Sequence, residues 1–196
     1  MDLIVLATRN AGKARELSTL LHGISERMDS LAAHPTVTLP PETGPTYREN
    51  AIAKARAVQA ALGVPALGDD SGLEVDALGG APGLHSARFA GPGAGDGANN
   101  ERLLRELEGV PPERRRARFR CVLALMRGPN DIVVAEGACE GRILEAPRGE
   151  GGFGYDPLFL PGGETQTFAE LADERKNAIS HRARAAAALV RVLRGG

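Results

Sequence analysis

Leu3-Ile4-Val5-Leu6-Ala7 is an unbroken apolar run that stops abruptly at Thr8-Arg9-Asn10. A run this short and this uniformly apolar reads as a fully buried strand rather than a helix. Leu17, Leu20 and Leu21 then recur at helical spacing. The chain therefore opens as buried strand, polar loop and helix. Any fold it adopts has to cover that strand, so the sheet is an internal layer flanked by other elements.

The rest of the chain mixes the two periods without a strict βαβ alternation. Pro35, Pro40, Pro41 and Pro45 break any long helix between residues 22 and 45. Thr46-Tyr47-Arg48-Glu49 is a capping box opening a helix that runs to Leu62 and stops at Gly63. Pro65–Gly68 leads into Asp69-Asp70-Ser71-Gly72, and Leu73–Leu78 alternates like a strand. Residues 79–97 are loop-rich, and 99–107 read as a helix. Strands are expected over 117–126 and 131–140, joined by the hairpin signal Gly128-Pro129-Asn130-Asp131. A glycine-rich loop, 149–157, feeds Leu158-Phe159-Leu160. Residues 168–193 read as mostly helical, with Ser180 as a second N-cap. The expected class is α/β or α+β with a mixed sheet.

The composition removes several functional classes. No apolar run approaches the roughly 18–20 residues of a membrane span. Met1-Asp2-Leu3 lacks the basic and apolar regions of a signal peptide. A formal net charge of −1 argues against a general nucleic-acid binder. Two cysteines, Cys121 and Cys139, are too few for a disulfide framework and suit a reduced, cytoplasmic setting. Of 24 Lys and Arg residues only three are lysine: Lys13, Lys54 and Lys176. In a chain that writes nearly every positive charge as arginine, each lysine calls for a reason, because a compact ammonium is not a planar fork.

Four constellations could carry chemistry. Thr8-Arg9-Asn10-Ala11-Gly12-Lys13 lies between strand and helix, where free backbone N–H groups and the helix dipole favour an anion. It is equally a surface turn with a helix cap. Asp69-Asp70 places two carboxylates side by side, the hard oxygen donors that Mg²⁺ takes. It is also readable as an ordinary Asx turn, and Glu42 is a third carboxylate in a loop. Phe153-Gly154-Tyr155-Asp156 puts two of seven aromatics into a glycine-rich loop, where a flat ring could stack on a nucleobase or simply cover core. Lys176 and Ser180-His181-Arg182 set cations at a helix start, against the dipole, unless an acceptor offsets them. Together they suit a nucleoside triphosphate with Mg²⁺.

At these motifs the sequence resembles the inosine triphosphate pyrophosphatases, also described as noncanonical purine NTP pyrophosphatases. The resemblance is carried by Thr8–Lys13, Glu42-Thr43-Gly44, and Glu49-Asn50-Ala51 with Lys54-Ala55. It continues through Asp69–Gly91, Gly151–Pro157, and Lys176 followed by His181-Arg182. These blocks stand in the family's order from residue 3 to about 190. The resemblance implies one two-lobed α/β domain over 1–196, with a mixed, elongated central sheet flanked by helices and a substrate cleft between the lobes. It implies hydrolysis of ITP, dITP and XTP to monophosphate and pyrophosphate, and commonly a homodimer.

Carried over by position, Thr8, Arg9, Asn10, Ala11, Gly12 and Lys13 form the triphosphate-binding loop. Lys54 enters the same site. Glu42 and Asp70 serve Mg²⁺, with Mn²⁺ or another hard divalent ion as a substitute. Asp70 is the proton acceptor for the attacking water, supported by Asp69. Ser71 contacts substrate, and Phe153 stacks on the purine within the loop that also holds Gly154 and Tyr155. Asp156, Lys176, His181 and Arg182 line the base and sugar end. Hypoxanthine and xanthine offer an acceptor at position 6 where adenine offers a donor, so donors from His181, Arg182 or the backbone would discriminate between them. Arg9 stands where relatives often have Gly, and Tyr155 where some have Trp. All three lysines fall on motif positions. Two alternatives stay open: a pyrophosphatase for modified pyrimidine or common triphosphates, and a nucleotide sensor without turnover.

Overall fold

The computed structural model describes residues 1–195. Six strands form one mixed sheet: β1 (Leu3–Leu6), β2 (Arg27–Ser30), β3 (Ala66–Val75), β4 (Arg116–Gly128), β5 (Asp131–Ile143) and β6 (Phe159–Pro161). Their order in the sheet is β2-β1-β3-β4-β5-β6. β1 is parallel to β2 and to β3, while β5 and β6 are antiparallel. Five helices accompany them: α1 (Ala11–Leu20), α2 (Tyr47–Leu62), α3 (Asp96–Glu106), α4 (Asp173–Ile179) and α5 (His181–Leu193).

The chain divides into two compact units. The first comprises Met1–Asp70, Cys121–Gly137 and the chain from Arg182 on; the second comprises Ser71–Arg120 and Ala138–His181. In the first unit the uniform apolarity of β1 has its explanation. Ile4 and Leu6 pack with Leu17, Leu21, Leu67 and Leu189, while Val5 and Ala7 pack with Leu31, Val37 and Val58. Alternate residues of a strand point to opposite faces, and here both faces are core. The second unit has its own core, with Leu73, Val75, Leu103, Phe119, Phe159 and Phe168.

Most expected elements stand close to their sequence positions. The Thr46 hydroxyl accepts from the Glu49 amide, and Gly63 ends α2 in the left-handed conformation (φ 69°). Helix α3 starts at Asp96, three residues before the expected Asn99. The helical stretch expected over 168–193 is two helices with Ser180 between them. Two departures have clear causes. β2 (Arg-Met-Asp-Ser) carries no apolar alternation, because as the sheet's edge strand it is recruited mainly by its pairing with β1, with only Met28 of its residues packed on the core. Asp69–Gly72 is no turn: it lies inside β3, a continuous strand through Val75. Gly68 permits the close approach of α2 to β3, since a Cβ there would collide with the Ala51 carbonyl. No helix among the described residues is long and apolar enough to cross a membrane.

Candidate active site

Because Asp69 and Asp70 are consecutive in a strand, their side chains leave opposite faces. They gather different partners, and this resolves the repulsion expected of adjacent carboxylates. Asp69 is 2% exposed. Its Oδ1 forms an ion pair with the Lys13 ammonium from α1. Its Oδ2 accepts from Arg182 Nε at 3.2 Å and from the Cys121 thiol at 3.2 Å. Arg182 also pairs with Glu16. Burial alone would push the Asp69 carboxyl up; the nearby Lys13 and Arg182 cations overcome it and hold the group well below the usual carboxylate range. The same burial raises the Cys121 thiol, helped by the charge of Asp69.

Asp70 is 5% exposed and belongs to a second cluster. Its Oδ1 accepts from Lys54 Nζ at 2.8 Å, and the same ammonium donates to Glu42 Oε1 at 2.7 Å. The Asp70 Oδ2 accepts from Asn50 Nδ2 at 3.1 Å, while Asn50 Oδ1 accepts from the Gly44 amide at 2.8 Å. Asn50 and Lys54 are four residues apart on α2 and so share its face. Glu42, alone in a proline-rich loop, is thus brought to Asp70 by two residues of one helix. Burial raises the Asp70 carboxyl above its ordinary value, with Lys54 opposing. The Lys54 ammonium is raised: burial works against it, and Asp70 and Glu42 outweigh that.

The Thr8–Lys13 loop is organised by its own side chains. Thr8 Oγ1 accepts from the Asn10 amide at 3.1 Å, and Asn10 Oδ1 caps α1 by accepting from the Lys13 amide at 2.9 Å. The amides of Ala11 and Gly12, in the first helical turn, have no acceptor within the helix. The guanidinium of Arg9, carried over with the substrate loop, is turned to the carbonyls of Leu31, Pro35 and Val37.

In the second unit the aromatic loop is pinned at every residue. Asp156 Oδ2 accepts from the Phe153 amide at 2.9 Å and from Lys176 Nζ at 2.6 Å. The Gly154 amide donates to Asp96 at 2.6 Å, and its carbonyl accepts from Asn100 at 2.9 Å. Tyr155 donates its hydroxyl to the Ser86 carbonyl at 2.8 Å, and burial raises its pKa. The Lys176 ammonium lies 4.9 Å from the centre of the half-buried Phe153 ring, in cation–π range. Gly152, at φ 73°, passes so close to Asp156 that a Cβ would strike its carboxylate. His181 stacks on Phe119 with ring centres 4.7 Å apart.

Two of the carried-over side chains are engaged within the protein. Arg182 is 2% exposed and its guanidinium serves Asp69 and Glu16. The cation at a helix start is stabilised by the protein's own carboxylates. Asp156 is 3% exposed and its carboxylate is engaged with the loop amide and Lys176. Ser71 follows Asp70 along β3 and is half-buried. Asn50, Cys121, Glu16, Asp96 and Asn100 join these clusters without having been singled out in the sequence. Only Asn50 had a signal, its four-residue spacing from Lys54.

The sequence profile of the Ham1 family matches residues 4–192. The chain belongs to the Ham1 family. Within it, the chain is 52% identical over 185 residues to a protein of Geobacillus kaustophilus named dITP/XTP pyrophosphatase, covering 94% of this chain and 91% of that one. It is 54% identical to a Desulforamulus reducens protein of the same name, covering 93% and 90%. Among solved structures, the HAM1 protein of Coxiella burnetii superposes with a TM-score of 0.88 at 42% identity, covering all of both chains. The mixed α/β sheet flanked by helices is therefore the fold of Ham1 proteins.

Proposed function

We propose that this Ham1 chain, a single domain over 1–196, is a pyrophosphatase for noncanonical purine nucleoside triphosphates: ITP, dITP and XTP. The relatives' shared name, dITP/XTP pyrophosphatase, supports the substrate class. The observation that carries the chemistry is the convergence of Glu42 and Asp70 on one point, each within 2.8 Å of the Lys54 ammonium. That donor set, two hard carboxylates, suits Mg²⁺, or Mn²⁺ in its place. Among the described residues no three His, Cys, Asp or Glu side chains stand together as a metal site. Two protein ligands would leave the other positions to water and phosphate oxygens, as Mg²⁺ prefers. When bound there, the ion supplies neutralisation of phosphate charge.

The chain's own groups account for the remaining steps. The first-turn amides of α1 and the Lys13 ammonium bind the triphosphate. Lys54 adds a second positive charge. Asp70 is the better base of the pair, because burial raises it while Asp69 is held ionised by Lys13 and Arg182. A water oxygen bonds to the α-phosphorus, its proton passes to Asp70, and the bond from that phosphorus to the α–β bridging oxygen breaks. Pyrophosphate leaves with that oxygen. In the second unit Phe153 offers a ring face to the purine, and Lys176 with His181 forms the base end. A homodimer in the cytoplasm is the setting that fits this reading.

Pyrophosphate release measured across a nucleotide panel tests the substrate class. ITP, dITP and XTP are expected to exceed ATP, GTP and dUTP in kcat/KM by about 100-fold or more, the discrimination a hydrogen-bonded base site gives. Preference for dUTP or for a methylated pyrimidine triphosphate would replace this reading with a pyrimidine-directed one. Tight binding with no turnover of any triphosphate would make the chain a sensor.

A further inference from the structure

We propose that Arg9 is a positioning residue that locks the phosphate-binding loop to the segment delivering Glu42. This rests on the functional reading above. Arg9 sits between Thr8 and Asn10, yet its side chain leaves that loop. Its Nη1 donates to the Leu31 carbonyl at 3.3 Å, and its Nη2 donates to Pro35 at 3.3 Å and Val37 at 2.9 Å. The backbone closes the same junction, since the Leu31 amide donates to the Thr8 carbonyl at 3.2 Å. One planar fork thus gathers three carbonyls of a non-repetitive segment, a task that a single ammonium cannot match.

The segment so held leads to the metal end of the site. Leu31 and Val37 are buried with Val5, Ala7 and Val58, with Leu39 packed beside them. Pro40 and Pro41 then restrict the backbone up to Glu42. From its far side Glu42 is fixed by Lys54, and Gly44 by Asn50. Upstream, the carbonyls of Leu31, Pro35 and Val37 are held by Arg9. Arg9 therefore couples two loops that must be correct together: one for phosphate and one for the carboxylate that meets the ion.

The full-length protein tests this with Arg9→Ala and Arg9→Lys. Amide hydrogen exchange without nucleotide is expected to accelerate at Leu31, His34 and Val37 in Arg9→Ala. With ITP, KM and the Mg²⁺ concentration for half-maximal rate should each rise about three- to tenfold, the net contribution of one ordinary hydrogen bond. KM should rise more than kcat falls. Arg9→Lys should lie between the two, and it carries the test if the alanine variant fails to fold. Unchanged KM and Mg²⁺ midpoint would overturn the proposal even if exchange accelerates, because Arg9 would then be a surface strut. If the wild-type protein does not turn over ITP, the functional reading fails instead, and the exchange data still show whether the clamp exists.

Discussion

Asp70→Asn is expected to leave the protein folded while lowering the rate of ITP hydrolysis by about 10²–10⁴-fold, the contribution of a positioned general base. The amide keeps the shape of the carboxylate. It can still accept from Lys54, and Lys54 retains Glu42 at 2.7 Å. What it loses is the ability to take a proton and the charge with which Asp70 would help hold a divalent ion under the proposed function. Burial already works against ionised Asp70, so removing that charge relieves a desolvation cost. The thermal midpoint should therefore stay level or rise as activity collapses. A stable variant with wild-type turnover would remove Asp70 from the chemistry.

Asp69→Ala is expected to do the opposite: a large loss of stability. Its carboxylate is the shared partner of Lys13, Arg182 and Cys121, and Arg182 is almost fully buried. Deleting one member of a buried charge cluster costs about 3–5 kcal/mol, because the remaining charges stay desolvated. For a chain of this length that is on the order of 10 °C in the thermal midpoint. The sign with pH follows from the depressed carboxyl. The stabilisation is fully present above the ordinary aspartate value of about 3.9 and is lost as the pH falls through the lower folded value. Wild-type and Asp69→Ala stabilities should accordingly converge in strong acid and stand furthest apart near neutrality. Equal midpoints at pH 7 would contradict this.

The contrast between these neighbours shows what was legible in the sequence and what was not. The pair itself stood out as two carboxylates in a row. Their division of labour did not, because it depends on Asp69–Gly72 being inside β3, where successive residues face opposite ways. A turn reading was natural for Asp-Asp-Ser-Gly, a string of turn-forming residues, and tertiary pairing overrode it. The buried strand at the N-terminus, the capped helix α2 and the β4–β5 hairpin were legible because apolar period and capping chemistry are local. β2 was not, since an edge strand of Arg-Met-Asp-Ser is defined by its neighbour.

The scarcity of lysine proved the most informative compositional signal. Each of the three lysines forms an ion pair with an aspartate: Lys13 with Asp69 and Lys54 with Asp70 in the first unit, and Lys176 with Asp156 in the second. Lys54 sets one compact ammonium between two carboxylates, Asp70 and Glu42. Arg182 was harder to place. From sequence it is a cation at a helix start, and only the structure turns it toward Asp69 and Glu16. Cys121 gave no signal at all, because a thiol in an apolar strand looks like core until its acceptor is known.

In the proposed reaction water attacks the α-phosphorus, so pyrophosphate leaves whole. The direct measurement is the product balance of ITP hydrolysis by the wild-type protein with Mg²⁺. One IMP and one pyrophosphate per ITP consumed, with no inorganic phosphate formed at early times, is the predicted result. Release of inorganic phosphate with IDP as the companion product would contradict it.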